Sequence, residues 1–142
     1  MKIRSLTIAD YDQIVTLWKR SGLPFKPSGR DRRGAVQAQM AENPDFFLGA
    51  FEDNKLVGVA VATSDGRKGW INRLAVDPNL RRMGVAEELV LGAEKVLHKH
   101  GIRIFCALID DDNKGSKQLF NKCGYKEHRD IVYFRKKESD RT

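Results

Sequence analysis

Apolar residues recur along the chain at two spacings, which predict helices and strands that alternate. The strongest helical pattern covers residues 84–100, where one face collects Ala86, Leu89, Val90, Ala93, Val96 and Leu97. A first helix is predicted to begin at Thr7, with Asp10 completing a capping box, and to end before Gly22 and Pro24. Weaker patterns predict helices over 33–42 and 114–122.

Short apolar runs between these helices predict the strands. The runs cover residues 1–6, 46–51, 56–63, 70–76 and 102–109, and a closing hairpin follows over 125–127 and 131–135. The run at 102–109 is almost continuously apolar, which is typical of a central strand covered on both faces. The resulting order, β-α-α-β-β-β-α-β-α-β-β, indicates an α/β fold with a mixed sheet flanked by helices. Because no repeat or linker interrupts the chain, we expect a single domain over 1–142.

Composition narrows the class of protein. The 142 residues are 41% hydrophobic and 32% charged, which excludes a disordered tail and a disulfide-stapled mini-protein. No stretch approaches the roughly 20 apolar residues of a membrane helix, and residues 1–5 reach charged positions too early for a secretory leader. We therefore expect a cytoplasmic protein without a membrane partner, whose two cysteines, Cys106 and Cys123, are reduced thiols.

The net charge is +7, which attracts phosphate groups of any kind. Nucleic acid, an anionic lipid and a phosphorylated cofactor all fit that charge. A basic loop over 21–34, with Lys26, Arg30, Arg32 and Arg33, adds to it. The choice among these ligands depends on the motifs.

Residues 74–86 carry the most informative motif, because they join a predicted strand to the strongest predicted helix. They read Leu-Ala-Val-Asp-Pro-Asn-Leu-Arg-Arg-Met-Gly-Val-Ala. The first amides of a helix lack partners and point along the positive end of its dipole. Gly84 leaves these amides open to a ligand, and Arg81 and Arg82 add positive charge beside them. The arrangement suits a pyrophosphate, although an ordinary turn with surface arginines is the alternative.

Two motifs together resemble the GNAT superfamily of N-acetyltransferases. Residues 81–86 match its R/Q-x-x-G-x-G/A signature, and residues 74–78 its L-x-V-x-P run. Asn113 and residues 119–125 resemble its N-x-x-A-x-x-L-Y-x-x-x-G-F segment. The order of elements agrees over about residues 1–136, whereas no nucleotide-triphosphate or dinucleotide glycine motif occurs.

The resemblance implies an acetyl-CoA-dependent N-acetyltransferase with acetyl-CoA as cosubstrate. The fourth and fifth strands are then expected to splay apart and to admit the cofactor. The Leu74 amide would polarise the thioester carbonyl, and the backbone of residues 74–76 would pair with the pantetheine arm. The residues that the resemblance assigns to cofactor binding are Leu74, Ala75, Val76, Arg81, Arg82, Met83, Gly84, Val85, Ala86 and Asn113.

The sequence does not assign a general acid. Related enzymes often use the tyrosine of the L-Y pair to protonate the leaving thiolate, but Phe120 stands here and carries no proton. Tyr125, Tyr133 and Cys123 are candidate substitutes, and unaided departure of the thiolate is the alternative. The catalytic residues are therefore left unassigned.

The sequence does not assign a general base either. A Glu or His on the fourth strand would be usual in the family, but Trp70, Asn72 and Arg73 occupy that strand. Asp110, and with it Asp111 and Asp112, ends the fifth strand where the amine should arrive. The alternative for these acids is a solvated loop whose last member caps the next helix. No metal site is expected: the 110–121 run fails the calcium-loop pattern, and His98 and His100 point apart.

The acceptor amine, of a small molecule or a protein, is not defined by the sequence. The basic loop and the closing hairpin, with His128 and Arg129, suggest an acidic acceptor, although solvated surface explains most of these charges. A catalytically silent acyl-CoA-binding module is a second hypothesis, and a basic nucleic-acid-binding domain, lacking stacked aromatic or zinc patterns, is a third. A homodimer would follow family habit.

Overall fold

The structure is a computed structural model, which describes residues 1–81 and 84–142. A sheet and four α-helices account for its regular elements. The strands are β1 (Lys2–Ser5), β2 (Phe47–Glu52), β3 (Lys55–Ser64), β4 (Gly69–Val76) and β5 (Phe105–Cys106). The helices are α1 (Tyr11–Arg20), α2 (Arg33–Glu42), α3 (Val85–Lys99) and α4 (Lys114–Lys122), and 3₁₀ turns precede α1 (Ile8–Asp10) and α3 (Pro78–Leu80).

The five strands lie in one sheet in the order β1-β2-β3-β4-β5. Neighbours from β1 to β4 run antiparallel, and β5 joins β4 in parallel. The parallel pair needs a crossover connection, and α3 provides it. The predicted class, a mixed sheet flanked by helices, is confirmed.

The core lies on both faces of this sheet. On one face, here called the α1 face, Trp18 and Leu17 of α1 pack with Phe47 and Val59. On the opposite face, here called the α3 face, Leu89 and Ala93 of α3 and Phe120 of α4 pack over the strands. The strand residues of this layer include Leu48 of β2 and Ala60 of β3. The sheet is thus a shared wall between two apolar layers.

Element boundaries marked by local chemistry agree with the prediction. Helices α2 and α4 begin and end where the sequence predicts. The Thr7 amide donates to the Asp10 carboxylate over 2.9 Å, as a capping box requires. Asp53 and Asn54, with φ of 49° and 66°, form the tight turn of the β2–β3 hairpin.

The prediction of a long central strand over 102–109 is wrong. Only Phe105 and Cys106 are in the sheet, at its edge, and Ile104 and Leu108 are 52% and 58% exposed. The apolar run resembles a buried strand, but a strand also needs neighbours. Here β4 pairs with it through two residues only, and the described residues place no strand on its other side.

The predicted closing hairpin is wrong as well. Residues 125–137 contain no strand, and Ile131, Val132, Tyr133 and Phe134 are between 63% and 88% exposed. Between the two expected strands, Arg129 forms ion pairs with Glu127 and with Asp111, which lies outside the expected hairpin. β-branched and aromatic residues favour a strand only where a partner strand is present.

Among the residues that the structure describes, no helix is long and apolar enough to cross a membrane.

Candidate functional site

The turn from β4 into α3 is fixed by a buried carboxylate. Asp77, 3% exposed, accepts two hydrogen bonds from the Arg20 guanidinium, at 3.0 Å and 3.2 Å. It also accepts the Asn79 amide at 3.0 Å, which starts the 3₁₀ turn. That amide, followed by the Arg20 charge, lowers the pKa of Asp77 below its ordinary value. The carboxylate therefore ties the end of β4 to the end of α1.

Gly84 opens the N-terminus of α3. Its φ is +78°, a conformation that favours glycine, and a Cβ built there would meet no atom of the described residues within 4 Å. Val85, next to it, is buried and anchors the helix to the α3 face. The site predicted for a pyrophosphate thus has a glycine, which carries no side chain, at the positive end of a helix. Arg81 is exposed beside it, whereas Arg82 and Met83 lie outside the described residues.

Strands β4 and β5 meet only at their beginnings. Their ladder consists of Gly69 with Phe105 and Trp70 with Cys106. Ala75 and Val76 of β4 pair with β3, so the opposite edge of residues 74–76 is not taken up by β5 in the described ladder. An unpaired strand edge presents N–H and C=O groups to an extended ligand. The edge ends at the turn that leads to Gly84.

A bulge interrupts β4 at Arg73. Between the pairs Val59–Ala75 and Val61–Asn72, the single residue Ala60 of β3 faces two residues of β4, Arg73 and Leu74. Arg73 has a φ of +50°, which strains a side-chain-bearing residue by roughly 1–2 kcal/mol. Its guanidinium lies 4.1 Å over the Trp18 ring on the α1 face, whereas Leu74 packs on the α3 face. Backbone strain of this kind concentrates at functional sites.

The candidate acids have different surroundings. The Tyr125 hydroxyl donates to Glu94 over 2.7 Å, and its ring packs edge-on against Phe120, 4.9 Å away. Burial, together with the Glu94 bond, raises the pKa of Tyr125 well above its ordinary range. Burial and nearby carboxylates also raise the pKa of the Cys123 thiol. Tyr133 is exposed, and Phe120 is a 5% exposed core residue.

The three aspartates after β5 form a surface loop. Asp111 pairs with Lys117 at 2.6 Å and with Arg129 at 3.3 Å, and these partners lower its pKa. The cap of α4 is Asn113, whose side-chain oxygen accepts the Ser116 amide at 3.0 Å. The alternative of a solvated loop agrees with the structure, since all three aspartates are exposed, but its last acid, Asp112, does not cap the helix. The Asn113 side chain, predicted to line the cofactor slot, is the capping group.

Sequence reasoning missed a cavity on the α1 face. It has a volume of about 130 Å³, and its polar lining includes Trp18, Arg30, Asp31, Asn72 and Arg73. Of the basic loop residues predicted to meet an acceptor, Arg30 is in this lining. The sequence does not indicate a role for Asp31, because Arg30, Arg32 and Arg33 surround it and such charged residues are typical of a solvated loop. Its burial, 5% exposed, depends on the tertiary fold.

Asp31 and Arg73 bring the loop and the bulge together. Asp31 accepts the Lys26 amide at 2.8 Å, and its main-chain oxygen accepts the Tyr11 hydroxyl at 2.6 Å. The nearest charged atoms of Asp31 and Arg73 are 3.5 Å apart. The two residues thus form an ion pair between elements far apart in sequence, in which Asp31 is buried and Arg73 is partly buried.

Solved structures of acetyltransferases share this fold. The PaiA N-acetyltransferase of Thermoplasma acidophilum, in complex with coenzyme A, superimposes with a TM-score of 0.77 at 22% identity, covering 88% of this chain and 89% of that one. AAC(6')-Iy, in complex with a bisubstrate analogue, gives a TM-score of 0.78 at 20% identity, covering 96% and 97%. At such identities the likeness concerns the fold.

Sequence comparison defines the family. An acetyltransferase of Photorhabdus laumondii is 30% identical over 138 residues, which cover 96% of this chain and 95% of that protein. The model of the acetyltransferase (GNAT) family matches residues 11–125. This chain therefore belongs to the acetyltransferase (GNAT) family, and the resemblance drawn from its motifs is confirmed.

Proposed function

We propose that this chain is an N-acetyltransferase that transfers the acetyl group of acetyl-CoA to a primary amine. The observation that carries the proposal is the free edge of residues 74–76, which leads to an open glycine at the N-terminus of α3. An extended pantetheine arm fits the edge, and a pyrophosphate fits the helix terminus. Family membership supports the same assignment.

In this proposal the main chain carries most of the cofactor contacts. The amides of residues 82–86 hold the pyrophosphate, with Arg81 beside them. The Leu74 amide donates to the thioester carbonyl and stabilises the oxyanion that forms when the amine attacks. The bulge at Arg73 supports this role, because Leu74 lies where the β4 ladder is interrupted.

The amine attacks the thioester directly while both substrates are bound. An alkyl amine with a pKa near 10.4 is only about 0.04% neutral at pH 7, so its deprotonation costs roughly 4–5 kcal/mol. Phe120 has no proton to give, and the Tyr125 hydroxyl is committed to Glu94. These contacts favour the route in which the thiolate leaves unaided and takes its proton from water.

A catalytically silent acyl-CoA-binding module is the second candidate. Phe120, buried at the position of the usual tyrosine, favours it. Both candidates bind acetyl-CoA, and only the enzyme releases free CoA thiol when amines are supplied. A thiol assay over a panel of amines therefore separates them.

Substitution of Gly84 tests the position of the cofactor. Acetyl-CoA at a hundred times its dissociation constant should stabilise the wild-type protein by about 2.7 kcal/mol, measured as a rise in melting temperature. Gly84→Glu should abolish this rise, because it places bulk and negative charge against the phosphates. Gly84→Ala is the matched control, since both variants carry the strain of a positive φ, roughly 1–2 kcal/mol.

The alanine variant should keep a larger rise than the glutamate variant, because its methyl group carries no charge and meets no atom of the described residues within 4 Å. If the glutamate variant responds to acetyl-CoA as strongly as the wild type does, the cofactor binds elsewhere.

A further inference from the structure

Two residues that line the cavity on the α1 face, Trp18 and Arg73, carry hydrogen-bond donors that the described residues leave without acceptors. The indole nitrogen of Trp18 and the Nε and Nη2 nitrogens of Arg73 are all buried, and none has a hydrogen-bond partner in the described part of the chain. Trp18 is 2% exposed, so its N–H is shut off from solvent. Buried donors without acceptors are rare in folded proteins. A ligand that brings acceptor atoms would satisfy these three together.

The free nitrogens of Arg73 form one edge of its guanidinium. Its Nη1 already donates to the Pro24 carbonyl at 2.8 Å. Nε and Nη2 lie side by side along the other edge, which is the one that binds a carboxylate through two parallel hydrogen bonds. The Trp18 ring, 4.1 Å away, supports the guanidinium plane from one side. The side chain is therefore held with a two-donor edge free.

Asp31 does not satisfy this edge. Its Oδ2 lies 3.5 Å from Nη2, in an ion pair that lacks hydrogen-bond geometry, and the same oxygen accepts the Lys26 amide. Burial, with Arg30 nearby, lowers the pKa of the Arg73 guanidinium below its ordinary value. The two arginines and one aspartate of the lining leave an excess of positive charge. The cavity is thus suited to an anion.

The bulge brings this cavity next to the proposed acetyl group. Arg73 faces the α1 face, and Leu74, the next residue, carries the amide assigned to the thioester. A volume of about 130 Å³ admits a small group such as one end of an amino acid. A molecule bound there by its carboxylate would hold its amine close to the reacting carbon.

We propose that the acceptor is an amine that also carries a carboxylate, as an amino acid does, and that Arg73 and Trp18 bind this carboxylate in the cavity. The inference rests on the proposed function, because it names the acceptor of that reaction. The planar two-donor edge matches a carboxylate, whereas the unsatisfied groups offer nothing to a ligand ammonium. The amine itself reaches toward Leu74.

Matched pairs of amines test the proposal. Each L-amino acid of a panel is compared with its own amide, which keeps the side chain but lacks the carboxylate charge. Because loss of that charge also lowers the pKa of the amine, rates are expressed per neutral amine. Thiol release with acetyl-CoA gives kcat/KM for both members. For at least one pair, the acid should exceed its amide by roughly tenfold to a hundredfold, as expected for hydrogen bonds to a charged group. Amides that equal or exceed their acids throughout would overturn the proposal.

Arg73→Gln should remove this preference by lowering kcat/KM for the acid much more than kcat/KM for the amide. Trp18→Phe, which deletes one N–H and keeps an aromatic ring, should reduce it less. Arg67→Gln, an exposed arginine of the β3–β4 turn, is the control and should change neither value. An Arg73→Gln variant that loses both substrates equally contradicts carboxylate recognition.

The melting shift with acetyl-CoA separates this inference from the proposed function. A wild-type protein that acetyl-CoA stabilises, but that prefers amides, refutes the carboxylate site and leaves the acetyltransferase proposal standing. A protein that acetyl-CoA does not stabilise refutes the proposed function itself. Aminomethylphosphonate provides a last arm: if it is acetylated faster than glycine, the cavity selects tetrahedral anions and the proposal fails.

Discussion

The Asp10 carboxylate connects Arg4 of β1 with Thr7, which precedes the 3₁₀ turn before α1. It accepts two hydrogen bonds from Arg4, at 3.0 Å and 3.1 Å, and a third from the Thr7 amide. The Arg4 guanidinium also stacks 4.1 Å over the Phe51 ring, which fixes the direction of the pair. The Arg4 bonds, more than any other cause, lower the pKa of Asp10 below its ordinary value.

We expect Asp10→Asn to destabilise the protein by about 1–2 kcal/mol at pH 7, because the negative charge and one of the two acceptor oxygens that bind Arg4 are lost. The pKa of Asp10 is lower in the folded state, so its contribution is complete above the unfolded value near 3.9 and is lost as pH falls through the folded one. Urea unfolding from pH 7 to pH 3 should therefore show wild type and variant converging at the acid end.

Asp12→Asn is the control, since Asp12 is an exposed residue of the first turn of α1. It should change stability by a few tenths of a kcal/mol through the helix dipole. A difference between wild type and Asp10→Asn that stays constant down to pH 3 would contradict the role given to the carboxylate.

Single residues also show where sequence reasoning stops. Gly84 could be predicted, because the need for a bare residue at a helix start is a local requirement. Asp31 could not, since its importance depends on Arg73, which the fold brings to within 3.5 Å of it. The replacement of the usual tyrosine by Phe120 was visible in the sequence, but the engagement of Tyr125 with Glu94 required the structure.

At the scale of elements, glycines let α3 lie close against the sheet. A Cβ on Gly58 of β3 would come within 2.8 Å of Leu89 and 2.9 Å of Val85. A Cβ on Gly69 of β4 would come within 2.6 Å of Leu97. Both strands therefore present bare backbone to the helix, and the position of α3 depends on these contacts.

Gly58→Ala should destabilise the protein by about 1–3 kcal/mol, because the β-branched Val85 has no room to move away. It should also weaken acetyl-CoA binding, since Val85 is the first residue of α3. Gly92→Ala is the matched control: its Cβ would be 3.5 Å from Leu48, an ordinary contact, and alanine favours a helix by up to about 1 kcal/mol. Chemical denaturation and the acetyl-CoA melting shift report the two effects.

A Gly58→Ala protein that is as stable as wild type would show that α3 does not depend on this close approach. A stable variant with a reduced acetyl-CoA shift would still place the helix N-terminus in the cofactor site.

Elements bounded by local signals could be predicted, and elements defined by partners could not. Helices α2 and α4 end at residues whose chemistry stops a helix, so their limits were correct. The run over 102–109 and the segment over 131–135 have strand-like composition, but only two residues of the first enter the sheet. Strand pairing connects residues distant in sequence, and a local pattern does not contain that information.

For the molecule as a whole, the charge of +7 should assist the capture of an anionic cofactor. Acetyl-CoA should bind several-fold more weakly in 500 mM than in 50 mM KCl, because salt screens the attraction between the basic surface and the phosphates. Acetyl-pantetheine, which shares the thioester arm but has no phosphate, is the matched ligand and should show little change. Titration calorimetry measures both.

Equal salt dependence of the two ligands would show that the phosphates contribute nothing to binding. It would contradict the pyrophosphate site proposed at the start of α3.

The bulge in β4 places neighbouring residues of one strand on opposite faces of the sheet. Asn72 and Arg73 face the cavity with α1, and Leu74 belongs to the opposite layer. If the carboxylate site and the cofactor site lie where we propose, a substitution at 72 or 73 would change which amine is accepted, and the contacts of Leu74 with the cofactor would remain. A single β-bulge would in this way allow related enzymes to differ in their acceptor amines while they keep the same cofactor site.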